Sequence, residues 1–243
     1  MRDVLTVLRK ELKELSVVDG GLIMSVSFLV FVGLIGVVMP WQLGIAWLRA
    51  PWVMVLWAWM PLFLVTTVTA DSFAGERERH TLETLLATRL PDWAILIGKV
   101  AAGVLWVWAA TLVCVPVGLI TVNVAHVPEG FAMYDGHTLL GIAAVTFLAA
   151  LLGATLGVLV SLRAGTVRQA QQTLMIIVML ILFTPMLALR LLPAPIVARV
   201  FELFMGGSQA SVALALGAVF LGIDAILLFV GLGRFQRRKL LLH

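Results

Sequence analysis

The residues of this chain that are able to do chemistry are few and concentrated. The segment from Asp71 to Asp92, reading DSFAGERERHTLETLLATRLPD, holds Asp71, Glu76, Arg77, Glu78, Arg79, His80, Glu83 and Arg89. Glu76 and His80 have the i, i+4 spacing of two metal ligands on a helix, and His126 and His137 share one loop. Neither pair has the third and fourth ligands that a closed site requires, so no metal site is expected. Catalysis would need a nucleophile with its base, or two carboxylates within reach of each other. Asp224 has no such partner in the sequence, and no catalytic residue is assigned. The phosphate-cradling pattern G-x-x-x-x-G-K-[ST] is also missing, because Lys99 is followed by Val100 and no glycine stands five residues before Gly98. What remains for the charged segment is recognition. Leu82, Leu85 and Leu86 fall on one helical stripe, Arg79 and Glu83 stand at i and i+4, and Thr81 is placed to cap the turn that follows. A short amphipathic helix that docks on another protein is expected there; the alternative is a solvated loop with local ion pairs.

The elements that hold this segment follow from composition. The chain has 243 residues, 62% of them hydrophobic and 12% charged, with a mean hydropathy of +1.09. Soluble domains are about half apolar and a quarter charged, so an ordinary soluble enzyme is excluded. One cysteine, Cys114, cannot pair within the chain. The formal charge of +4 comes from basic residues that flank apolar runs, where they orient spans instead of binding nucleic acid. Six runs are charge-free or nearly so: Gly20 to Leu48, Ala50 to Ala70, Val100 to Pro128, Gly136 to Leu162, Gln169 to Leu189, and Leu203 to Gly233. Each reaches the roughly 20 residues that a helix needs to cross the hydrocarbon. Their continuous apolar character predicts helices, which satisfy every backbone group within the segment. The expectation is a single all-α transmembrane domain over residues 1–243 with six transmembrane helices.

Six spans put both termini on one side, and the basic residues say which. With the termini inside, fourteen Lys and Arg residues are internal, and only Arg49, Arg190 and Arg199 are external. That bias predicts cytoplasmic termini. Trp41, Trp47 and Trp52 around the first outer loop, and Trp93 at an inner boundary, are expected as interfacial anchors. Residues 1–16 place Val4, Leu5, Leu8, Leu12 and Leu15 on one helical face, opposite Arg2, Arg9, Lys10, Glu11, Lys13 and Glu14. This predicts an amphipathic helix lying under the inner leaflet. Residues 193–207 carry Ile196, Val197, Val200, Phe201 and Phe204 on one face behind Pro193 and Pro195, which predicts a short outer-surface or re-entrant helix between spans five and six.

Inside the membrane the informative residues are polar or small. Asp224 lies about ten residues before Arg234 and so near mid-bilayer, where a charged carboxylate costs about 2.5 to 3.5 kcal/mol. Two readings stand for it. One is a polar point of the translocation path or a proton or cation site, and the other is a neutralised or hydrogen-bonded group that locks helix packing. Gly217, Phe220 and Gly231 share its face. Gly153 and Gly157 form a small-xxx-small pair. Pro61, Pro116 and Pro185 interrupt spans, with Thr66, Thr67 and Thr184 available to serve freed backbone groups.

The stretch GERERHTLETLLATRLPDWAILIGK resembles the signature of type 2 ATP-binding-cassette transporter permeases. There an E-R-E run, a T-L-E step, an L-L-A-T run and a distal G-K pair recur between the second and third spans. Here they are Glu76, Arg77 and Glu78; Thr81, Leu82 and Glu83; Leu85, Leu86, Ala87 and Thr88; and Gly98 and Lys99. His80 stands where the family usually has glycine, and Arg89 where proline is common.

The resemblance implies that residues 71–92 carry a cytoplasmic coupling helix, with Glu76, Arg77, Glu78, Arg79, Thr81, Leu82, Glu83, Leu85 and Leu86 meeting a cleft of a separate ATPase subunit. ATP and Mg would be bound by that partner, with no cofactor in this chain. A second permease chain, as homodimer or close heterodimer, would complete the path in a prokaryotic cytoplasmic membrane. The expected function is the permease subunit of an exporter of a hydrophobic, amphipathic or small cationic substrate, with Asp224, Thr66 and Thr67 in the path or its packing. The alternative is a permease that moves nothing and passes ATPase strokes to a periplasmic assembly or cofactor-maturation system. An intramembrane enzyme lacks the required pair of groups. For topology, Arg49→Cys, Glu129→Cys and Arg199→Cys are expected to react with an impermeant external thiol reagent, and Arg168→Cys is not. External labelling at position 168 would overturn the six-span arrangement.

Overall fold

The computed structural model describes residues 2–17, 28–81, 90–126 and 130–234, and among them every regular element is helical. In chain order these are α1 (Arg2–Val17), α2 (Phe28–Leu43), α3 (Ile45–Arg49), α4 (Val53–Thr69), α5 (Asp71–Glu78), α6 (Asp92–Ala125), α7 (Gly136–Ser161), α8 (Val167–Leu191), α9 (Ala194–Gly206) and α10 (Gln209–Arg234). Five helices among the described residues are long and apolar enough to cross a membrane: Val53–Glu78, which joins α4 and α5, then α6, α7, α8 and the Gln209–Phe229 part of α10.

Three boundaries differ from the sequence reading, each for a local reason. The first apolar run is not one uninterrupted helix. A π-turn occupies Gly33–Val38, and at Gly44 the backbone turns to φ 56°, which only glycine adopts without strain, so the chain breaks between α2 and α3. Leu203 belongs to α9, because the chain breaks at Gly207 before α10 begins at Gln209. The apolar helix expected from Val100 begins at Asp92; α6 has 34 residues and is about 51 Å long, well beyond the hydrocarbon thickness. Lys99 therefore stands on the helix itself, two turns from its start.

The centre of the bundle is α7, packed on α4 along one face and on α10 along another. Its small residues set both approaches. A Cβ on Gly153 would lie 2.5 Å from Val65 Cγ1, and one on Gly157 would land on the Thr69 side chain. Sequence spacing predicts this close approach, and the structure shows α4 as its partner. On the other face α7 and α10 run in the same direction: Thr138 donates to Gln209 Oε1 at 2.5 Å, Gly141 faces Ala213, and Gly217 faces Leu148.

The tryptophans divide. Trp41 and Trp93 are exposed, but Trp47 is fully buried against Trp57 at 5.4 Å between ring centroids, so it is a core residue and not a membrane anchor. Its ring fills the space that Gly118 leaves open on α6. Pro61, Pro116 and Pro185 all lie inside continuous helices. Thr66 and Thr67 do not serve the carbonyl that Pro61 frees one turn before it. Their hydroxyls donate to Phe63 O at 2.7 Å and Leu64 O at 2.8 Å, in their own turns.

Gly157→Ala is expected to destabilise the bundle by about 1 to 3 kcal/mol, because the β-branched Thr69 cannot swing away without moving α4. Gly222→Ala, with open space around its position, should leave stability unchanged. Denaturant unfolding of both variants in detergent micelles measures the contrast.

Candidate functional site

The charged end of the bundle is organised around α5, which continues α4 through Ala70 in helical conformation. The junction leaves backbone groups without helical partners, and Ser161 at the end of α7 takes them. Its hydroxyl accepts from Phe73 N at 3.0 Å and Ala74 N at 2.9 Å and donates to Ala70 O at 2.8 Å. One side chain thereby welds the end of α7 to the start of α5.

Each charge of the E-R-E run then reaches a different element. Glu76 is buried, and its Oε1 lies 3.0 Å from Lys10 Nζ and 3.1 Å from Lys99 Nζ. Lys99, with only 1% of its side chain exposed, also donates to Glu11 Oε1 at 2.8 Å and to Ser72 O at 2.8 Å, and its ammonium lies 4.9 Å from the Phe73 ring centroid. Two hydrogen bonds and the ion pair with Glu76 thus surround the ammonium. Arg77 donates to the carbonyls of Ala164 and Leu162, in the link from α7 to α8. Glu78 accepts from Val167 N at 2.9 Å, the first amide of α8, where a carboxylate serves an unpaired donor and the helix dipole together.

Arg79 pairs with Asp71 at 2.7 Å; the i, i+4 step expected toward Glu83 lies outside the described residues. The pair crosses over Gly75, where a Cβ would strike the Asp71 carboxylate, which accounts for glycine at that position. The hydrogen bond to Asp71 raises the Arg79 pKa above its ordinary value. Burial lowers the Lys10 pKa, and the carboxylates of Glu11, Glu76 and Glu14 more than offset this, so Lys10 is also raised.

Helix α5 ends in a Schellman turn. Thr81 N donates to Glu76 O at 2.9 Å and His80 N to Arg77 O at 3.1 Å, with His80 at φ 55°. This is the left-handed position that glycine ordinarily fills, which accounts physically for the glycine usual there in the permeases that the stretch resembles. Thr81 is therefore part of the stop of α5: its hydroxyl donates to Glu76 O at 3.3 Å. Leu82, Glu83, Leu85 and Leu86 lie outside the described residues.

The sequence reading placed Glu76 and Glu11 among exposed charges, and the structure corrects both. The face of α1 that presses on the bundle carries Val7 and Glu11, one turn apart, and Val7 seats on Gly98. Leu5, assigned to the apolar stripe, is exposed. A helix with an aliphatic residue and an acid at i and i+4 on the edge of its polar face was the available signal. Far from this cluster, Asp224 is buried on α10, and neither carboxyl oxygen has a hydrogen-bond partner among the described residues.

No group of side chains able to hold a metal ion is found among the described residues, and α5 is tied to α1, to α6 and to the α7–α8 link at once. A family model described as ABC-2 family transporter protein matches residues 61–240. The chain belongs to the ABC-2 transporter family. No curated protein matches the sequence. As an ABC-2 permease it is a membrane subunit served by an ATP-binding-cassette ATPase. The matched region holds Glu76 and Lys99, whereas Lys10 and Glu11 precede it, so the charge cluster joins α1 to the family's shared body.

In the ABC-2 chain, Lys99→Met is expected to cost about 3 to 5 kcal/mol, because the buried Glu11 and Glu76 lose their buried counter-charge and keep only the half-exposed Lys10 between them. It should also release α1 to limited proteolysis. Lys10→Met, at a half-exposed position, should cost under about 1 kcal/mol. Thermal unfolding combined with protease mapping of the N-terminal segment reads both outcomes.

Proposed function

We propose that this ABC-2 chain is the force-receiving transmembrane half of an ATP-driven exporter, working as two permease chains with two ATPase subunits. In this reading the chain has six spans, both termini lie in the cytoplasm of a prokaryotic cell, and the residues after α5 dock in the ATPase cleft. Leu82, Leu85 and Leu86 supply the apolar contact, with Glu83 and Arg79 beside them.

The observation that carries the reading is the wiring of α5. A rigid push delivered just beyond Glu78 reaches α1 and α6 through Glu76 and Lys99, and α7 and α8 through Arg77, Glu78 and Ser161. The family's E-R-E run is thus an internal transmission device, and recognition of the ATPase falls to the segment that follows it. The exposure of Glu78, Arg79, His80 and Thr81 at the end of α5 supports that division. An apolar and threonine-lined path fits a hydrophobic or amphipathic substrate, or a small cation, better than a highly charged one.

The test separates docking from folding. Glu83→Lys with Leu86→Asp should leave insertion and unfolding temperature intact while abolishing co-purification of the ATPase, since losing a desolvated contact at an interface costs about 2 to 5 kcal/mol. Glu129→Lys with Asp135→Lys is the matched control and should retain the partner. Normal ATPase binding and normal transport in the first variant would sink the docking assignment, and a mass corresponding to one permease chain per complex would sink the dimer.

A further inference from the structure

The buried threonines of the long helices share one habit, with two exceptions. Thr69, Thr111, Thr121 and Thr146 each donate to the carbonyl one turn back, at 2.8, 2.8, 2.9 and 2.6 Å. Thr138 is satisfied across the α7–α10 seam by Gln209. Thr155, 3% exposed, has no hydrogen-bond partner for its hydroxyl among the described residues. Asp224, 1% exposed, has none for either carboxyl oxygen.

The register of the seam brings these two residues to one level. Thr138 meets Gln209, Gly141 meets Ala213, and Leu148 meets Gly217. Continued along the same stripe of the two parallel helices, with steps of three and four residues, this places Leu152 and then Thr155 of α7 against Phe220 and then Asp224 of α10. Leu152 and Phe220 are both buried, as that register requires. On that register two carboxyl oxygens and one hydroxyl oxygen lie at one level inside the bundle, none of them hydrogen-bonded to another group among the described residues. The nearest basic residues along the chain, Arg163 just past the end of α7 and Arg234 at the end of α10, lie about 12 Å from Thr155 and about 15 Å from Asp224 along the axes. A carboxylate at membrane depth needs a named partner. The enclosure of both side chains limits that partner to something small.

We propose that Asp224 and Thr155 form a monovalent-cation site within a single protomer, occupied by an alkali-metal ion or by the ammonium group of a transported molecule. The second source rests on the export reading above; the first does not.

The experiment uses the full chain in lipid nanodiscs without ATP or ATPase, so that its outcome is independent of docking, which co-purification tests separately. Unfolding midpoints are compared at equal ionic strength in sodium, potassium, methylammonium and N-methyl-D-glucamine chlorides. The bulky last cation serves as the reference. A ligand held by the folded state alone raises the midpoint, here by at least about 2 °C at saturating concentration. A rise with sodium or potassium assigns a metal ion, and a rise with methylammonium alone assigns an ammonium group. Either rise should vanish in Asp224→Asn and shrink in Thr155→Val. If Asp224→Asn does not fold, Thr155→Val carries the decision, and an undiminished shift there overturns the proposal. Midpoints that do not differ among the four salts, or that shift equally in Asp224→Asn, also overturn it and leave Asp224 as a neutral packing group.

Discussion

A buried ammonium must be neutralised where it lies, and at Lys99 that requirement organises the whole charged end of this permease. Moving a single charge out of water costs several kcal/mol, and the cost is met only when opposite charge and hydrogen bonds arrive together. Lys99 obtains them from three directions: Glu11 on α1, Glu76 on α5 and the Ser72 carbonyl at the start of α5. None of these groups is near it in sequence. Helix α1, helix α5 and the beginning of α6 are consequently fixed relative to one another by one side chain.

The same economy governs the rest of α5. Every charge from Glu76 to Arg79 is matched to a group that the fold would otherwise leave unsatisfied or unbalanced: a buried lysine, the carbonyls that close α7, the first amide of α8, and Asp71 across Gly75. The helix is short, so its rigidity comes from these ties and from its continuity with α4, not from its own backbone hydrogen bonds. In the proposed reading, a small soluble contact beyond α5 would be enough to move the membrane bundle. The contact would act on an element that already touches most of the others, and no long chain of intermediate shifts is needed.

Deeper in the bundle, small residues replace charge as the organising feature. Between membrane helices hydrophobic burial supplies little net drive, so close backbone approach and dispersion decide which faces meet. Gly153 and Gly157 admit α4 so closely that side chains of Val65 and Thr69 occupy their missing Cβ positions. Another face of α7 meets α10 through Gly141 against Ala213 and Leu148 against Gly217, and the proposed register sets the unpartnered Thr155 and Asp224 further along it.

Much of this was legible in the residues themselves. Apolar runs of spanning length, the helical class, the small-xxx-small approach and the family signature follow from local periodicity and composition, because a membrane helix must satisfy its backbone within its own segment. The glycine-like turn at His80 was visible as a departure from the family pattern. What periodicity could not show is which charge finds which. Glu11 reads as one polar residue among several on α1, and Glu76 as one charge of a segment that docks on a partner, since a helix pattern reports only which residues share a face and not what lies opposite. Only the tertiary structure brought Glu11 and Glu76 to Lys99, Ser161 to the α4–α5 junction, and Trp47 inward from the expected membrane surface. Those contacts join residues up to 91 positions apart, and their stability depends on burial that no single segment possesses.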